Sequence, residues 1–92
     1  MNTEERLKEG DIVQHFKRET IAEPHNEYLY KIICIAEHTE TREKFVVYEP
    51  LYGDKPRKVY ARPYEMFMGK VDKDKYPDIK QEYRFELYLR VE

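Results

Sequence analysis

From residue 83 to residue 92 the chain sets Tyr83, Phe85, Leu87, Leu89 and Val91 in alternation with Arg84, Glu86, Tyr88, Arg90 and Glu92. A period of two belongs to a strand, whose successive side chains leave the backbone on opposite sides. One face here is apolar and the other mostly polar, so the strand is expected to be half buried. Such a strand needs partners beside it and a layer over its apolar face.

The partners are readable upstream. Residues 12–16 (Ile-Val-Gln-His-Phe) put Ile12, Gln14 and Phe16 on one face and Val13 and His15 on the other. Residues 28–38 give the longest strand signal, apolar on both faces at its centre, which predicts a central and strongly bent strand. The polar turn Thr39-Glu40-Thr41-Arg42-Glu43 leads back into Phe45-Val46-Val47-Tyr48, a hairpin pattern. Pro50 stops that ladder or places it at an edge. A turn at Gly53-Asp54-Lys55-Pro56 precedes a short fourth strand over 58–62.

Pro63 and Gly69 bracket one helical turn at 64–68, from which Met66 and Phe67 are expected to plug the core. The polar stretch 18–27 reads as a long loop. Residues 70–80, alternating acids and bases around Pro77, read as a solvated connection. Asn2 or Thr3 can cap a marginal helical turn over residues 1–9, with Leu7 as its only anchor. The sum is one domain over residues 1–92, with an all-β body at 10–92. A small curled barrel or roll of five to six short strands and one short helical turn is expected.

Composition narrows the function classes. A net charge of −2 lacks the basic footprint of a strong nonspecific nucleic-acid binder. A local basic patch at Lys55, Arg57, Lys58 and Arg62 is diluted by Asp54 and Glu65. Cys34 is the single cysteine, so neither an intrachain disulfide nor a cysteine-rich zinc site can form. It lies in Ile32-Ile33-Cys34-Ile35-Ala36, where a thiol packs as a small hydrophobe. No apolar run approaches membrane length, and the expected setting is cytoplasmic.

Several spaced motifs, in order, resemble a known family. They are residues 10–17 (Gly-Asp-Ile-Val-Gln-His-Phe-Lys), residues 35–41 (Ile-Ala-Glu-His-Thr-Glu-Thr), Val46-Val47-Tyr48, Leu51-Tyr52-Gly53-Asp54, Arg62-Pro63 with Met66-Phe67, and Arg84-Phe85-Glu86. Together they are similar to the small bacterial family DUF1653, from Gly10 to about Glu86. Two departures are a longer loop between Lys17 and Tyr28, and Tyr60-Ala61 where many members carry Trp and Val. The resemblance implies a compact β-rich domain comparable in shape with SH3-like barrels, and it implies no activity or cofactor.

Two constellations suggest sites. Arg62 precedes Pro63, which biases it toward extended backbone and aims its guanidinium. With Tyr48, Tyr52 and Tyr64 it forms a candidate floor able to take a carboxylate, a phosphate or a base. Aromatic-lined grooves on small barrels read extended peptides, and related barrels stack single-stranded bases. His15 and His38 with Asp54 make the second constellation, a candidate for a small enzyme or a metal-dependent sensor. The chain has no Ser, no nucleophile elbow and no Gly-rich phosphate loop. The expectation is a binding module for a peptide, a protein or a single-stranded nucleic acid, monomeric or weakly dimeric, without metal or cofactor.

Overall fold

The computed structural model describes residues 6–53 and 58–90. Its elements are β1 (Ile12–His15), a 3₁₀ helix (Phe16–Thr20), β2 (Leu29–Glu37), β3 (Lys44–Pro50), β4 (Tyr60–Pro63), α1 (Tyr64–Met68) and β5 (Phe85–Leu89). All five strands join one antiparallel sheet in the order β4-β3-β2-β1-β5. The sheet is open, with β4 and β5 as its edges.

Local chemistry accounts for the boundaries. The Lys17 backbone N–H donates to Nδ1 of His15 at 3.1 Å, which turns the chain into the 3₁₀ helix one residue earlier than the alternation suggests. Phe16 therefore leaves the strand and is buried beneath the loop. β2 carries a register shift between Ile32 and Cys34, and such an extra residue bends a strand. At the far end of β2 the turn closes through His38 N–H on the Glu43 carbonyl at 2.8 Å. Pro50 is the last residue of β3, opposite Tyr30, where no further ladder bond is required of it.

The core sits on one face of the sheet. Val13, Ile32, Val46, Tyr48 and Phe85 point into it, and Leu7 and Phe67 cover it from outside the sheet. Phe67 stacks on Phe85 with centroids 4.0 Å apart and planes within 5°. Residues 6–10 form bends and turns rather than helix, and Leu7 is still fully enclosed. The candidate caps Asn2 and Thr3 lie outside the described residues.

Two expectations are corrected. Met66 does not plug the core: it is 49% exposed while Phe67 is 0%. A helix of five residues turns little more than once, so only one of two adjacent positions can face the sheet. The apolar side of β5 is also only partly covered, with Phe85 1% exposed but Leu87 42% and Leu89 54%. The covering layer of α1 and Leu7 reaches Phe85 and stops there.

The sheet is curled. Strands in a flat sheet lie about 4.8 Å apart, so β4 and β5, four places apart, would be separated by roughly 19 Å. Instead the Arg62 guanidinium of β4 lies 5.5 Å from the Phe85 ring centroid of β5. Tyr48 of β3 reaches the same ring at 5.9 Å. Curvature thus brings the two edges together around one aromatic core. No helix among the described residues is long and apolar enough to cross a membrane.

Candidate functional site

At one end of the roll a pocket of about 260 Å³ opens to solvent, lined by residues from four separate segments. β1 supplies His15, and the 3₁₀ helix supplies Phe16 and Lys17. Arg62 comes from β4, and Asp72, Lys75 and Tyr76 from the connection before β5. Arg84 stands directly ahead of β5. Four of these side chains are cationic and one is a carboxylate.

His15 is the centre of the arrangement. Its ring stacks on Phe16 at 4.4 Å and meets the edge of Phe85 at 5.0 Å and Tyr28 at 5.7 Å. Burial, followed by the charges of Arg62, Lys17 and Arg84, pulls its pKa down to about 4. The imidazole is therefore neutral at physiological pH. Because Nδ1 accepts the Lys17 N–H, the remaining proton resides on Nε2, and His15 offers a donor rather than a base. Tyr28, beside it, holds a left-handed backbone (φ 64°), a conformation costing a bulky residue about 1–3 kcal/mol. Its carbonyl accepts the His15 backbone N–H at 2.9 Å, which ties that turn to β1.

The loop wall is built rather than loose. Asp72 Oδ1 accepts the backbone N–H groups of Asp74 and Lys75 at 3.1 and 3.4 Å, and the Asp72 carbonyl accepts that of Tyr76 at 2.9 Å. Lys73 Nζ donates to the carbonyls of Ile79 and Gln81. The Glu19 carboxylate accepts the backbone N–H groups of Lys80 and Gln81 at 2.9 and 2.7 Å. Tyr76 packs on Phe16 at 4.9 Å. Arg84 is held by its Nη1 on the Met66 carbonyl at 3.0 Å. The Asp72 charge is partly engaged by its own turn, so the pocket field is set by the cations.

A chain of tyrosines runs from this pocket over the inner face. Tyr28 meets Tyr52 at 5.8 Å, Tyr52 meets Tyr30 at 5.7 Å, and Tyr30 meets Tyr48 at 5.4 Å. Tyr48 continues to Tyr60 at 5.8 Å. The Tyr30 and Tyr52 hydroxyls share a hydrogen bond of 2.9 Å. Burial raises the Tyr30 phenol above its ordinary range, and the bond to Tyr52 adds to that. Burial also raises Tyr48, opposed by the neighbouring Arg62 charge.

The residues singled out from the sequence divide accordingly. His15 and Arg62 meet at the pocket. Tyr48 is buried in the core, and Tyr52 stands partly exposed at the rim of the tyrosine chain. Tyr64 opens α1, half-buried against the core, with Lys44 at 6.0 Å over its ring. His38 is elsewhere: β1 pairs with the start of β2, and His38 follows its end, about 30 Å of extended chain away. Its Nδ1 accepts the Glu40 and Thr41 N–H groups at 3.1 and 3.2 Å and so holds the hairpin turn. Asp54 lies outside the described residues.

A family model matches residues 11–87, which takes in β1 to β4 whole and the first three residues of β5. The chain belongs to DUF1653, a family described as protein of unknown function. No curated protein and no solved structure matches the chain. Leu7 precedes the matched stretch and yet closes the core of this DUF1653 domain. Sequence reading missed Lys17, Lys75, Tyr76 and Arg84 as site residues. Only Tyr76, an aromatic in a segment otherwise rich in charge, carried a signal that its connection packs against something.

Proposed function

We propose that this DUF1653 domain is a binding module that captures an anionic, phosphate-bearing ligand at the His15–Arg62–Arg84 pocket, with the tyrosine chain as its apolar flank. The observation that carries this reading is the convergence of Lys17, Arg62, Lys75 and Arg84 around a neutral, half-buried imidazole. Cations gathered at one pocket, Arg62 and Arg84 half-buried and Lys17 and Lys75 exposed, repel one another, and an anion relieves that repulsion while accepting the donors they present. His15 joins as a neutral donor, which favours binding over acid–base turnover. The four-strand meander, with β5 returning beside β1 and α1 between the fourth and fifth strands, also supports an SH3-like reading of the roll. A macromolecular partner, a monomeric state and a reducing cytoplasmic setting complete the proposal. The unpaired Cys34 is consistent with the last.

Thermal unfolding with pyrophosphate as the probe tests the pocket. A ligand at ten times its dissociation constant stabilises by about 1.4 kcal/mol, or about 5 °C or more for a domain of this size. That rise is expected in the parent chain and is expected to vanish in Arg62→Gln and in Lys75→Ala. Lys75 is exposed, so its variant should fold normally. An equal rise in all three proteins, or none in the parent, overturns the reading.

A further inference from the structure

We infer that the ligand of this pocket is a single-stranded nucleic acid, with one phosphate among the cations and bases stacked on tyrosines to either side. The inference rests on the anion-pocket reading and adds what lies around it. On β4, Tyr60 and Arg62 share the inner face of an edge strand, two residues or about 6.8 Å apart. Tyr60 is 43% exposed at the open end of the tyrosine chain, a ring available for stacking. Across the pocket, Tyr76 leans on Phe16, with Lys17 Nζ 5.9 Å from its ring centre. Cations therefore occupy the middle and an aromatic ring stands on each flank.

An unstacked strand has that alternation of phosphate and planar base, and base–aromatic stacking supplies about 1–3 kcal/mol per base. A duplex keeps its bases stacked away from such rings. A phosphopeptide would satisfy the cations but would leave the paired aromatic flanks without matching planes. The net charge of −2 fits a short footprint confined to this pocket rather than a wide basic surface.

Fluorescence anisotropy with labelled ten-nucleotide oligouridine and oligothymidine tests the inference, alongside a duplex of equal length and a phosphotyrosine peptide. Saturable binding of the single strands is expected, with the duplex weaker. Tyr60→Ala should weaken binding about tenfold, one stacked base. Tyr88→Ala, a comparably exposed tyrosine outside the pocket lining and on the face of β5 opposite Phe85, should leave it unchanged. With one phosphate held among the cations, log K should fall with log salt at a slope of about −0.7. If the strands fail to bind while pyrophosphate still stabilises the parent chain, the nucleic-acid inference falls and the anion pocket stands. Tighter binding of the phosphopeptide than of the strands also overturns the inference. If neither strands nor pyrophosphate bind, both readings fall together.

Discussion

A neutral imidazole among three cations is an unfavourable place to add a proton, and this governs how His15 couples to pH. Its unfolded pKa is near 6.5 and its folded pKa about 4, so below pH 6.5 the unfolded chain takes up a proton that the folded chain refuses. The contribution of neutral His15 is intact above pH 6.5 and is lost as pH falls toward 4. The loss should be on the order of 2 kcal/mol, after allowing for solvent screening at a half-buried ring. Asp11 acts in the same direction. The bidentate Arg90 guanidinium, at 2.9 and 2.8 Å, holds the Asp11 carboxyl below its ordinary range, and that contribution fades only in stronger acid. Urea unfolding at pH 7 and pH 4.5 separates the two. His15→Asn keeps a capping acceptor and should lose clearly less stability than the parent between those pH values. Equal losses would remove His15 as the cause. His15 and Arg62 were both legible in the sequence, each as a polar group at a strand end. Their meeting was not, because they are 47 residues apart and joined only by tertiary curvature.

At the scale of elements, α1 contributes one fully buried side chain, and that side chain decides whether the inner face is covered. Phe67 lies between Phe85 at 4.0 Å and Tyr48 at 5.1 Å, and Phe→Ala in such a setting costs about 3–5 kcal/mol. Domains of this size hold about 5–15 kcal/mol in total, so Phe67→Ala should lower the unfolding midpoint sharply or abolish cooperative folding. Met66→Ala, on the exposed side of the same turn, should change stability by no more than about 0.5 kcal/mol. Similar losses for both would mean that α1 packs differently. Pro63 and Gly69 marked this turn in the sequence, and period two marked the strands, because both signals are local. The inward choice between Met66 and Phe67 depends on the rotation of the turn against the sheet. The connection before β5 is mostly exposed, as its charges imply, but its ordering contacts are not legible locally because they come from Glu19 and Phe16, some 60 residues distant.

For the whole molecule, the consequential property is that an open five-stranded sheet nevertheless curls until its edges share one aromatic centre. The bulge in β2 supplies bending, and Phe85 of one edge, β5, meets Arg62 of the other, β4, with His15 of β1 against the same ring. Arg90 on Asp11 joins the end of the last strand to the start of the first, and Arg6 Nη1 on the Phe85 carbonyl at 2.8 Å adds a second tie. The all-β class and the five strands follow from patterns that each segment carries by itself. The pocket does not, since it exists only where four segments converge. Its binding of an anion is the central claim, and backbone ¹H–¹⁵N chemical shifts recorded during a pyrophosphate titration test it most directly. Saturable shifts concentrated at His15, Lys17, Arg62, Lys75, Tyr76 and Arg84 are expected, with His38 and the β2–β3 turn unmoved. Shifts that fail to saturate, or that centre away from these residues, would contradict it.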